Sequence, residues 1–93
     1  MTIGLLQIDL LIPGARSLKD KRRVVKSLKQ QLGNRFNCSV AETDYHDLWG
    51  RSRLSVCVVS NESRHANQQL NEIARFASDR RDAELVDYGI ELL

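Results

Sequence analysis

The decamer Ile3–Ile12, IGLLQIDLLI, most constrains this chain. Leu6, Ile8, Leu10 and Ile12 alternate onto one face, and Leu5, Gln7, Asp9 and Leu11 take the other. A period of two over this length specifies a strand with one strongly buried face and one mixed face. Pro13-Gly14 ends it, because proline cannot continue a ladder and glycine permits the turn. The period then changes. Leu18, Val25, Leu28 and Leu32 recur at helical spacing, with Val24 at the edge of the stripe. Ser17 is positioned as the N-cap and Asp20 completes a capping-box-like pair. The spacing predicts a helix over residues 18–32, closed by Gly33 or Asn34 in the left-handed region.

The same reading gives strands over residues 36–44, 51–60 and 84–92, and a second helix over 63–78 capped by Asn61 or Ser63. Residues 45–50 make a short connection, so the second and third strands form an antiparallel hairpin. The third strand is apolar on both faces near its middle, which marks a central strand. In the last, Val86, Tyr88, Ile90 and Leu92 share one side. The order βαββαβ is the ferredoxin-like α+β pattern: a four-stranded antiparallel sheet with two helices on one face. Residues 1–93 hold no repeat, linker or low-complexity segment, so one domain is expected.

Charge is distributed unevenly. Residues 16–35 carry eight cations against one acid, Asp20, a net +7 in a chain whose total is +2; the remainder carries −5. With about 100° per residue and Leu18 at zero, Lys19, Arg22, Arg23, Lys26 and Lys29 fall between about 20° and 140°, opposite the apolar stripe. Arg16 precedes them. The cations crowd the N-terminal half of the helix, where the macrodipole and like-charge pairs oppose them, and a bound anion would offset both effects. Structured RNA is the foremost partner expected. A small phosphorylated ligand, an acidic protein, or plain solvation of the stripe are the other readings. Helix cations on the RNA backbone imply salt-sensitive binding with weak sequence preference. Lys21 differs. At about 300° it lies within the apolar side, where it either snorkels past the sheet edge or pairs with Glu42 or Asp44.

Glu42, Asp44, His46 and Asp47 place three carboxylates and an imidazole within six residues, just before Trp49. Residues 42 and 44 share a strand face, so their carboxylates are expected to converge. The spacing specifies neither a metal site nor an acid–base pair, and no cysteine or second histidine is near enough to complete a zinc set. A structural loop anchored by Trp49, with Arg51 or Arg53 pairing with acids, is the main reading. A partner-contact loop is the other. No phosphate cradle and no nucleophile–histidine set is identifiable, so no cofactor, metal or catalytic residue is assigned. An enzyme or small-ligand domain here would have to draw on Lys21 and the Glu42–Asp47 loop.

Cys38 and Cys57 read as small buried hydrophobes in a reducing compartment, with a disulfide as the other reading. No basic segment followed by a long apolar one precedes the first strand, and no apolar run approaches a membrane span. A cytoplasmic protein without membrane contact is expected. The fold leaves one sheet face bare, and Leu5 and Leu11 make that face a candidate homodimer interface.

The segments PGARSLKDKRRVVKSL, RFNCSVAETDYHDLWGR and LSVCVVSN resemble the YlxP-like family of small bacterial domains. The likeness spans residues 2–92 and is carried by S-L-K-x-K-R, Ser17 to Arg22, and S-V-A-E-x-D-x-x-D-L-W, Ser39 to Trp49. Cys38 and Thr43 stand where the family's pattern often has aliphatic residues. The resemblance implies a ferredoxin-like fold and a cytoplasmic location, and it carries no established activity. Members are often encoded beside translation initiation factor and ribosome-binding factor A genes, which points towards translation or ribosome maturation.

Overall fold

A computed structural model describes Met1–Leu93. Its elements are β1 (Thr2–Leu11), α1 (Leu18–Arg35), β2 (Ser39–Asp44), β3 (Arg51–Ser60), α2 (Ser63–Ser78) and β4 (Glu84–Leu92). The sheet order is β2-β3-β1-β4 and every pairing is antiparallel. This is the ferredoxin-like α+β arrangement. Its two long strands, β1 and β3, lie at the centre and pair over their whole length, from Thr2 opposite Ser60 to Leu11 opposite Arg51.

The alternation of β1 does what its period requires. Leu6, Ile8, Leu10 and Ile12 are buried against both helices, together with Leu54, Val56 and Val58 of β3. From α1 come Val25, Leu28 and Leu32; from α2 come Ala66, Leu70, Ile73, Ala74 and Ala77. The alanines bring α2 close to the sheet, and Gly4 completes the fit. A Cβ on Gly4 would stand 2.8 Å from Leu70 Cδ1 and 3.1 Å from Val58 Cγ2.

Local chemistry explains the helix ends, and several differ from the sequence expectation. Ser17 is the N-cap of α1, its Oγ accepting from the Asp20 N–H at 3.1 Å. The Asp20 carboxylate reaches back to the Arg16 N–H at 3.0 Å, one residue beyond the cap. The helix does not stop at Gly33 or Asn34. Neither adopts the left-handed conformation, and the Phe36 N–H still bonds to the Leu32 carbonyl at 2.9 Å. The helix ends because Phe36 turns extended and packs edge-on against Phe76 at 6.0 Å. That turn takes Phe36 to Cys38 out of the second strand, which starts at Ser39. The N-cap of α2 is Glu62, without a side-chain capping bond, in place of Asn61 or Ser63; the Ser63 hydroxyl instead lies 3.0 Å from that of Thr2.

Two bulges shift the sheet's facing. Thr43 is extra between Glu42, opposite Leu54, and Asp44, opposite Arg53. Val86 is extra between Leu85, opposite Leu10, and Asp87, opposite Asp9. The expected four-residue side of β4 is therefore broken: Tyr88, Ile90 and Leu92 stay in phase, and Leu85 replaces Val86 opposite the core strand.

Two glycines should respond in opposite directions. Gly4→Val should cost about 1–3 kcal/mol by overpacking. Gly33→Ala, exposed within α1 and meeting nothing, should add about 0.5–1 kcal/mol. Thermal melts of the two variants read both; about 4–8 °C accompanies each kcal/mol in a domain of this size.

Candidate functional site

Lys21 organises one end of the molecule. It stands in the second turn of α1, on the core face, and its side chain is fully buried. The ammonium does not snorkel. It lies 2.8 Å from Glu42 Oε2 and donates to the Tyr45 carbonyl at 2.7 Å and the His46 carbonyl at 3.2 Å. Its three donors thus have three acceptors, the condition under which a buried ammonium is tolerated. Glu42 also accepts from the Ser52 hydroxyl at 2.5 Å. Burial alone would raise the Glu42 pKa. The hydrogen bonds from Lys21 and Ser52, with the charge of Lys21, outweigh it and hold the carboxyl below its ordinary value.

These contacts shape the loop between β2 and β3. Tyr45 adopts a left-handed backbone, φ 64°, uncommon for an aromatic residue. Its carbonyl meets Lys21 and also accepts from the Leu48 N–H at 3.1 Å. The Gly50 carbonyl accepts from the Ile12 N–H at 2.9 Å, so the loop is fastened to the β1–α1 connection as well.

The bulge at Thr43 overturns the expected convergence of Glu42 and Asp44. Glu42 turns under α1, whereas Asp44 joins the open face, 3.5 Å from Arg53. His46 Nε2 contacts the Glu42 carbonyl at 3.0 Å, and the His46 and Asp47 side chains are otherwise at the surface. No three metal-ligating side chains come together. Trp49 is not a packed anchor either. It is 53% exposed, beside Leu48 at 49%, and the loop is held instead by its backbone, through Lys21 and Gly50.

The open sheet face is also less apolar than expected. Ile3, Leu5, Cys57 and Val59 occupy one end. At the other, Arg53 grips Asp9 with two bonds, 2.7 and 3.1 Å, while Arg51 lies 4.4 Å from the Tyr45 ring centroid and 3.9 Å from Asp9. The Arg53 hydrogen bond lowers the Asp9 pKa against the effect of burial, helped by the charges of Arg53 and Arg51. The pairing of Arg51 and Arg53 with acids was legible from their spacing. Asp9 as the acid was not, although a lone carboxylate in an apolar strand was a visible signal. Cys38 and Cys57 are free thiols and only partly buried, not the fully buried hydrophobes expected; the burial that Cys38 has pushes its thiol pKa up.

The ion pair of Arg80 with Asp82 has no counterpart in the sequence expectations. Arg80 clasps Asp82 at 2.6 and 2.8 Å and reaches α1 at Gln31, 2.9 Å, and Ser27, 3.3 Å. With these pairs counted, the cations without a carboxylate within 4.0 Å are densest on α1, although Arg64 and Arg75 of α2 and Arg81 also have none. Lys21, Arg51, Arg53 and Arg80 each have a carboxylate partner. Arg16, Lys19, Arg22, Arg23, Lys26 and Lys29 have none within 4.0 Å; all are exposed except Lys29, which is half-buried. Exposed Arg81 flanks the same surface, sharing a shallow cleft with Arg23 and Pro13. No helix is long and apolar enough to cross a membrane.

A family model described as "Protein of unknown function (DUF503)" matches residues 3–90. The chain is also similar to the uncharacterized protein YlxP of Bacillus subtilis (strain 168), with 32% identity over 74 residues that span 80% of each chain.

Lys21→Met should cost about 3–5 kcal/mol by leaving Glu42 unpaired, and adding Glu42→Leu should recover most of that, as read by urea denaturation. The acid limb gives a second check. Asp9, Glu42 and Asp82 all have lowered native pKa values. Their contribution is complete above the ordinary carboxyl values, 3.8 for Asp and 4.5 for Glu, and is lost as pH falls through the lowered native ones. Melting temperature should therefore fall from about pH 5 towards pH 2, and less steeply in Glu42→Gln.

Proposed function

The chain belongs to the DUF503 family, and from that premise we propose that it is an RNA-binding module that docks on ribosomal RNA or a ribosomal subunit through the outer face of α1. One observation carries this reading. Arg16, Lys19, Arg22, Arg23, Lys26 and Lys29 have no carboxylate within 4.0 Å and gather on and just before one helix, whereas the other cations without such a partner, Arg35, Arg64, Arg75 and Arg81, are spread over the end of α1, α2 and the α2–β4 connection.

Physical reasons favour a polyanion over simple solvation. A row of unpaired cations in the first half of a helix is opposed by the macrodipole and by i, i+4 repulsion, as between Lys19 and Arg23. Phosphates along this face would relieve both. The second helix, with Gln68, Asn71, Glu72 and Arg75 outward, supplies no comparable field. The open sheet face lacks the aromatic pair on which RNA-recognition-motif domains stack bases, so contacts would fall on the RNA backbone. The gene neighbourhood implied by the family resemblance agrees with a ribosomal setting.

Binding of a labelled 16S rRNA fragment, followed by anisotropy, tests the reading. Six phosphate contacts would give a log–log salt slope of roughly −4 to −5. Arg22→Glu with Arg23→Glu should abolish binding, while Arg64→Glu with Arg75→Glu on α2 should leave it within about twofold. Undiminished binding by the α1 variant would overturn the assignment.

A further inference from the structure

We infer that Trp49 is a stacking platform for an unpaired RNA base, set beside the basic helix so that the two together select single-stranded over duplex RNA; this rests on the RNA-binding reading above.

Trp49 is the only tryptophan of the chain, and it is 53% exposed, next to Leu48 at 49%. A large aromatic on a hairpin tip usually earns its place by packing under the loop. Here the loop is secured otherwise, through Lys21 to the Tyr45 and His46 carbonyls and through Gly50 to Ile12. The backbone is rigidly held and the indole is left outside. A fixed loop presenting an exposed ring is what base stacking needs, because little conformational freedom remains to be lost on binding.

Its location supplies the second element. The Lys21 and Gly50 contacts bring the loop to the same end of the molecule as the β1–α1 connection and the first turns of α1. Arg16, Lys19 and Arg22 stand there, none with a carboxylate within 4.0 Å. The faces of α1 fix the side. With Leu18 at zero, Ser27 and Gln31 lie at about 180° and 220°, where they meet Arg80 of the α2–β4 connection. The core residues Lys21, Val25, Leu28 and Leu32 lie at about 280–340°. The flank at about 0–40°, with Leu18, Lys29 and Arg22, lies across the core face from Arg80, and α1 packs against the edge strand β2.

Cations that track a backbone next to an aromatic that takes a base form the general arrangement of single-strand recognition. The charge complementarity selects a polyanion, and the exposed ring selects one with unstacked bases. A duplex offers Arg22 and Lys19 the same phosphates but offers Trp49 no free base face.

Because Trp49 is the sole tryptophan, intrinsic fluorescence reports on it directly. The full chain is titrated with an oligouridylate and with a blunt RNA duplex of equal length, following tryptophan emission together with anisotropy of the labelled RNA. The single strand should quench the emission and bind more tightly, and the duplex should bind without quenching. Trp49→Ala should weaken single-strand binding roughly ten- to hundredfold and leave duplex binding within about twofold; Trp49→Phe should restore most of the loss. Binding of both RNAs with unchanged emission and no effect of Trp49→Ala would overturn this inference and leave the RNA-binding reading intact. Binding of neither at low salt would overturn both.

Discussion

The buried ammonium of Lys21 is the contact on which this end of the molecule depends. Moving an unpaired charge into a protein interior costs several kcal/mol, so the residue fits only if every donor is met. Glu42, Tyr45 and His46 meet them. In doing so they tie α1 to the edge strand and hold a left-handed tyrosine. With Lys21 turned into the core, Arg22 and Arg23 must turn out.

The bulge at Thr43 makes that pairing possible. Without the extra residue, Glu42 and Asp44 would point the same way, and a single face would carry two carboxylates. With it, Glu42 serves Lys21 beneath the helix while Asp44 joins Asp9, Arg53, Arg51 and Tyr45 above the sheet. The acids are thereby distributed among cations that need them for folding. Arg80 and Asp82 do the same at the α2–β4 connection. None of these pairs engages the outward cations of α1, which form a helix face of one sign near a loop whose backbone is fastened and whose tryptophan is exposed.

Stability and binding therefore draw on different charges. The paired groups are mostly shielded, so their contribution appears in the acid limb of unfolding. The unpaired ones are mostly exposed and work against the helix that bears them, so any benefit must come from what they attract.

The sequence by itself determined the elements, their order and the core. Periods of two and 3.6 are properties of neighbouring residues, and burial follows directly from them; hence Leu6, Ile8, Leu10, Val25, Leu28 and Leu32 could be read without coordinates. The clustering of cations on one face of α1 was equally legible, since it needs only helical geometry. Tertiary structure alone decided the rest. Whether Gly33 ended the helix depended on Phe36 finding Phe76. Whether Glu42 or Asp44 met Lys21 depended on one bulge, which reverses facing without leaving a pattern in composition. Trp49 lies in the open because other groups secured its loop. Such outcomes rest on pairings between residues distant in the chain, and local periodicity carries no information about them.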